Sequence, residues 1–388
     1  MKLWAQRSSI AVGAVLAGLA LAPVANAAVV GQKPVTSWQA NGTVMTTVIS
    51  GNTVYLGGKF TAMYPAGSTG AGAVIRNHAA AIDLTTGQLL PWDPNVSNSV
   101  NAIAVDGGTV YLGGTFTSVG GAGRRNLAAV DATSGALLKS FKAPSLNGGV
   151  MAIAVSAGHV YAGGAFTTVG GAPRPYAAEF DATGGFMPAW APVPDDQVRS
   201  MVVTLDGTRV ILGGNFNNLN GAPGIAIGAV DSTSGASLPW AWHGPWFPWR
   251  PFQVVAMAVD ANGVYAAGTG NGGSFMRLDP DTGNLLFIGG LNGNAVGVGL
   301  DGGTLYVGGH FTSYCGLIPG NNFCTPVATR DKLLAVDEVT GALQPWHPSV
   351  NKNLGIFGLT AGNGGVAIGG DFTKVAGVSQ QGSALFHS

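Results

Sequence analysis

The sequence predicts an all-β fold: a seven-bladed β-propeller of four-stranded blades, closed by an N-terminal strand that completes the last blade. Three observations predict it. One short segment recurs along the chain, its period is that of a propeller blade, and the two ends of the chain complement each other. Of 388 residues, 63 are Gly, 46% are hydrophobic, 9% are aromatic and only 9% are charged. Aromatics at that level, with no Gly-x-y triplet period, exclude a disordered or collagen-like chain. Lys+Arg and Asp+Glu both number 18, so no basic field exists to hold nucleic acid or an anionic membrane.

In chain order, the first element is an address. Lys2 and Arg7 precede an apolar run over 10–22, followed by Pro23 and the small residues Ala25, Asn26 and Ala27, the layout of a secretory signal peptide cleaved after Ala27. The run is shorter than the roughly 20 residues that span a bilayer. The expected product is therefore residues 28–388 as a single propeller domain, secreted to the extracellular space and not an integral membrane protein. Only Cys315 and Cys324 are cysteines, and an exported chain is expected to join them in a disulfide.

The repeat follows. VYLGGTF at 110–116 recurs with small changes at 54–60, 160–166, 210–216, 305–311 and 366–372, and in weaker form, VYAAGTG, at 264–270. Seven units over the mature chain give about 52 residues each, within the range of propeller blades. Each unit opens with an apolar first strand such as 100–105. A tight turn at Asp106 leads to the second strand, whose paired glycines suit close approach by a neighbouring sheet. A third strand, 127–131, runs into a turn in which Asp131 bonds its own backbone and Gly135 takes positive φ. A fourth, edge strand carries Trp92, Phe141, Trp190, Trp240 or Trp346. The last unit stops after a third strand at 383–387, and Trp38, ahead of the first strand of unit one, is expected to supply the missing strand.

The pattern V-Y-x-G-G-x-F-T, then L-A-A-V-D-x-x-[ST]-G and a Trp, resembles secreted bacterial propellers of the delta-60 repeat type and is similar to units of fungal cell-surface polarity propellers. The resemblance implies a secreted or surface-exposed propeller and brings no catalytic residue with it. The stretch 81–87 followed by Trp92 is also similar to the tryptophan-docking repeat of quinoprotein dehydrogenases, which use eight blades.

The chemistry-bearing residues are few. Twelve of the 18 acids sit in hairpin turns, which leaves Asp93, Glu179, Asp195, Asp196, Asp331 and Asp371 in different units, without the repeated pair of a glycosidase. Asp195, Asp196 and Asp371 are the candidates if the chain is a carbohydrate-active hydrolase or lyase. No metal, nucleotide or serine-hydrolase motif is present, and no cofactor is expected. The variable residue of Gly-Gly-x-Phe places His310, Asp371 and Lys59 in neighbouring units, where an inter-blade ion pair is the first expectation. Arg76, Arg124, Arg174 and Arg330 each precede the turn Asp by seven residues, a repetition that suggests bonds to loop carbonyls or carboxylates.

The long segments 61–77, 240–252 and 312–330 fall on one face of the ring. The second of these concentrates Trp242, His243, Trp246, Phe247, Trp249 and Arg250 between prolines. It reads either as a stacking platform for a neutral ligand or as a hydrophobic plug over the weak fifth unit. The functional expectation is a non-catalytic binding propeller for a glycan or other surface polymer. The alternatives are the carbohydrate-active enzyme and a structural scaffold for protein partners.

Overall fold

The computed structural model describes residues 30–387, apart from 69, 245–251, 271, 318–323 and 353. The expected signal peptide over 1–27 lies outside the described residues. Val44–Ser50 pairs antiparallel with Thr53–Gly58, which pairs with Ala79–Asp83. The same meander recurs along the chain, so that seven inner strands, Val44–Ser50, Val100–Asp106, Val150–Ser156, Val198–Val203, Gln253–Val259, Ala295–Asp301 and Ile356–Gly362, surround one axial cavity of about 400 Å³.

The inner hairpins are built from turn chemistry. Asp106 pairs with Thr109, which leaves a two-residue loop. Such loops need positive φ to match the strand twist, and the equivalent Ala157 and Gly158 take φ of 50° and 80°. Each inner strand also carries a bulge near its start, after the first residue or, in Gln253–Val259, after the second. The extra residue turns toward the cavity.

The paired glycines meet the expectation and refine it. A Cβ on Gly113 would lie 2.5 Å from Val150 of the next unit, and one on Gly57, Gly163 or Gly213 would meet Val100, Val198 or Val254 at 2.6–2.7 Å. The second glycine faces backbone instead: a Cβ on Gly114 would lie 2.0 Å from the Ser99 carbonyl. Gly369 meets Val44 in the same way, so the last unit adjoins the first.

The outer layer differs from the expected fourth strand. After the turn the chain returns for a single bridge, Ile82 to Leu89, Val130 to Leu137 or Val336 to Leu343, and leaves the ladder. Proline lacks the N–H a ladder needs, and Pro91 and Pro345 stand directly before Trp92 and Trp346. The aromatics are buried between units rather than lying on an edge. Trp92 Nε1 donates to the Asp131 carbonyl of the next unit at 3.0 Å, its ring edge-on to Tyr55, whose hydroxyl donates to Ala132 O at 2.8 Å. Trp190 and Tyr161 repeat this at Asp231 and Ser232. The fifth unit departs from the rule: its full fourth strand, Leu285–Leu291, pairs onward with Ser313–Leu317 of the sixth.

Closure occurs where expected but not as a laddered strand: residues 30–38 form no strand, and the last sheet stays three-stranded. Val35 N donates to Leu385 O at 2.8 Å and Gly31 N to His387 O at 3.2 Å, so the N-terminal segment lies alongside Ser383–His387. Trp38 N reaches Gly87 O at 2.9 Å, and the half-buried ring packs against the core containing Val44, Leu56 and Leu385. No helix among the described residues is long and apolar enough to cross a membrane.

Gly114→Ala is expected to cost about 1–3 kcal/mol in denaturant unfolding, because the new methyl meets backbone that cannot rotate away. Gly108→Ala, with nothing within 4 Å of the added carbon, serves as the neutral control. Deleting residues 30–40 should expose the edge at Ser383–His387, lower the melting temperature and produce association in light scattering. An equally stable monomeric truncation would contradict the closure.

Candidate functional site

The face with the longer connections is more ordered than its loop-like sequence suggests. The connection from second to third strand folds into a small ribbon, Ser118–Val119 with Ala122–Gly123 in the second unit and Thr168–Val169 with Ala172–Pro173 in the third. In the second, third, fourth and seventh units the entering linker bridges to it, Val96 to Val119, Leu146 to Val169, Pro194 to Leu219 and Val350 to Val375. A side-chain clasp fixes this contact. Asn147 Oδ1 accepts from Thr167 N and Thr168 N at 2.7 and 2.9 Å, while its Nδ2 donates to Thr167 Oγ1. Asn41, Asn292 and Asn351 repeat the pattern.

Asp195 occupies the clasp position of the fourth unit. Its Oδ1 accepts from Asn217 N and Asn218 N at 2.8 and 3.0 Å, and its Oδ2 accepts from Asn218 Nδ2 at 2.7 Å. Burial acts to raise its pKa, but the bonds from Asn218 and Asn217 outweigh that and hold the carboxyl below the usual range. Asp196, its neighbour, accepts from Gln197 N at 2.6 Å. The clasp was readable only by comparing units, as an acceptor about 20 residues before each Phe-Thr, or before Phe216-Asn217 in the fourth unit.

Asp371 lies elsewhere, at the end of the last unit's second strand, with Oδ1 buried and without a hydrogen-bond partner. His310 Nε2 lies 2.8 Å from Ile356 O, and its ring is edge-on to Phe357. Burial lowers the His310 pKa, partly countered by the bond to Ile356 and the charge of Asp371. Lys59 is exposed, and among the described residues no ion pair within 4 Å includes Lys59 or Asp371. The expected ion pair of the three is therefore not formed. Asp331 pairs with its neighbour, the buried Lys332, at 2.7 Å, and buried Glu179 bonds His159.

The repeated arginines bond carbonyls, as their repetition suggested. Arg76 reaches Leu90 O at 3.1 Å and Asp93 at 3.9 Å, and Arg174 reaches Pro188 O and Trp190 O. Within the aromatic segment, Trp242 N donates to Gly283 O at 2.9 Å, and its half-buried ring meets Phe252 edge-on at 5.9 Å. His243 is exposed. Trp246, Phe247, Trp249 and Arg250 lie outside the described residues. Cys315 and Cys324 are joined in a disulfide.

The axial cavity holds the residue that sequence reasoning missed. The bulged positions Met45, Asn101, Met151, Arg199, Val255, Val296 and Phe357 ring its mouth on this same face, and among the described residues Arg199 is the one ionisable residue that lines it. The available signal was a single Arg within strands that are otherwise apolar or neutral.

No known family model matches the sequence, and no curated relative does either. Solved structures do match. The WD40 β-propeller domain of Doa1 aligns with a TM-score of 0.56 at 14% identity, over 91% of this chain and 96% of that one. The computationally designed Ika8 protein aligns with a TM-score of 0.54 at 15% identity, over 92% of this chain and all of its own. At that identity the likeness establishes the β-propeller fold alone.

The turn and clasp acids generate a pH prediction. Bonds from Thr204 and Thr208 hold Asp206 at about 2, and bonds from Ser134, Ser234 and Thr282 lower Asp131, Asp231 and Asp279. Their folded pKa values lie below the unfolded value of about 3.9, so the contribution is complete above that pH and is lost as the folded groups protonate. The melting temperature should fall as pH drops from about 4 toward 2, and a flat profile there would contradict it. Asp195→Asn keeps the Oδ1 acceptor but places an NH2 against Asn218 Nδ2, and should lower the neutral-pH melting temperature less than Asp195→Ala. Asp195→Ala should cost about 1–3 kcal/mol.

Proposed function

We propose that this chain is a non-catalytic binding scaffold that acts outside the cell. It recognises a glycan or other surface polymer through the aromatic segment from Trp242 to Arg250. The observation that carries the non-catalytic part is the clasp at Asp195: the acid best placed to reach the open face accepts three hydrogen bonds in a position where other units use Asn. Asp371 sits in a different unit, so no two candidate acids form the facing pair that glycoside hydrolysis requires.

The propeller fold supports the scaffold role, since a rigid disc with connections gathered on one face presents binding residues well. The disulfide between Cys315 and Cys324 and the leader-like residues 1–27 support the compartment, as does the resemblance to secreted delta-60 repeat propellers. Four of the nine Trp fall within the segment and its entry, and charge is scarce, which favours stacking on a neutral ligand.

A glycan and polymer binding screen with the purified chain tests this reading. Trp246→Ala or Trp249→Ala should weaken binding by roughly 2- to 12-fold each, the equivalent of 0.5–1.5 kcal/mol per stacked ring, with the melting temperature unchanged. A melting temperature lowered by the same substitutions, with no ligand effect, would identify a plug instead. Polysaccharide turnover abolished by Asp195→Asn or Asp371→Asn would overturn the non-catalytic assignment.

A further inference from the structure

Each inner strand lies at the edge of its sheet, so the wall of the axial cavity presents backbone N–H and C=O groups, with the bulged side chains projecting over it. One of these side chains carries charge. Arg199 stands between Met151 and Val255, the bulged residues of the adjoining units, and Met45 and Phe357 lie across the ring. Among the described residues no acidic residue lines the cavity to balance it.

Arg199 is also alone in its bonding. Its Nε is buried without a partner, as are those of Arg76, Arg124, Arg174 and Arg330, but unlike theirs its guanidinium makes no other hydrogen bond, ion pair or ring contact among the described residues. Other partly buried arginines are engaged: Arg174 bonds two carbonyls, Arg277 bonds Asn262 and Val339, and Arg209 faces Asp281. Those serve the fold. A guanidinium with unused donors in a confined, low-dielectric site has a strong drive to pair with an oxyanion, because its fork of N–H groups matches two oxygens at once. Burial acts in the same sense, pulling its pKa below the ordinary value and disfavouring the unpaired charge.

We propose that the axial cavity binds a small organic carboxylate, its two oxygens on Arg199 and its apolar body toward Phe357 and Met45. The cavity volume of about 400 Å³ lies within the range of small-molecule sites and is too small for a folded partner. An inorganic anion would satisfy the arginine but leave the apolar side chains across the ring without contact. A neutral sugar would leave the charge unpaired. The site is independent of the aromatic segment.

Isothermal titration of phenylacetate, its neutral amide and inorganic phosphate into the purified chain tests the proposal. Phenylacetate should bind one per chain, phenylacetamide should not bind, and phosphate should bind more weakly than phenylacetate. Arg199→Met, which installs the side chain present at positions 45 and 151, should weaken phenylacetate at least about tenfold while the melting temperature is maintained or raised. Arg199→Lys keeps the charge but loses the fork, and should also weaken binding, which preserves the test if the Met variant folds poorly. Phe357→Leu should weaken phenylacetate more than phosphate. The proposal fails if phenylacetate gives no binding up to millimolar concentrations, if the amide binds equally, if phosphate binds more tightly, or if well-folded Arg199 variants bind as before.

Discussion

How near one inner hairpin can come to the next is the constraint on which this ring depends. The first glycine of each pair leaves room for the opening valine of the following unit, so close that a methyl on Gly113 would lie 2.5 Å from Val150. Close approach on the inside must be matched by bulk on the outside. Trp92, Trp190 and Trp346 supply it, fully buried between one unit and the next, Trp92 and Trp346 edge-on to a tyrosine of the repeat and Trp190 tilted against one. Small residues within and large ones without make each unit a wedge, and wedges of like taper close into a ring. The hydrogen bonds from Trp and Tyr to the next turn fix how far each wedge rotates on its neighbour.

Much of this was legible because each feature answers a local demand. A two-residue turn needs positive φ, an Asx turn needs Asp followed by Ser or Thr, and a close approach needs Gly; each leaves a recurring letter in the chain. The fourth strand was misread because Trp after Pro looks like an edge strand while serving as an inter-unit contact. Asp195 was legible as an acid but not as a clasp, since its equivalents at 147 and 351 are Asn and the shared property is only an acceptor oxygen. Arg199 stayed hidden for a different reason. Alternation along the strand does not say which residue faces the cavity until the bulge is known, and the bulge arises from pairing with the second strand.

The departures from regularity gather at one boundary. At the junction of the fifth and sixth units the single bridge becomes a continuous ladder from Leu285–Leu291 to Ser313–Leu317. Nearby, Trp240 Nε1 and the Tyr265 hydroxyl are buried without partners, whereas Trp92, Trp190, Tyr55 and Tyr161 reach the next turn. Cys315, joined to Cys324, lies within the Ser313–Leu317 strand of this ladder. A repeat protein acquires distinctive chemistry where it relaxes the repeat, and here the relaxed inter-unit contacts are replaced by backbone pairing. This boundary keeps its clasp at Asn292, whereas the aromatic dock is kept at the boundaries of Trp92, Trp190 and Trp346.

The meeting of Gly369 with Val44 closes the ring through a contact of the same kind as that between Gly57 and Val100. An open solenoid can absorb a misfit between two repeats by bending, and its ends simply shift. A closed ring has a fixed total rotation, so any excess turn at one boundary must be returned by the others. The steric error is therefore shared. A methyl added at one glycine strains boundaries far from it, and a compensating change can arise at any of them. Divergence among the units of such a chain is coupled through geometry even where no side chains touch.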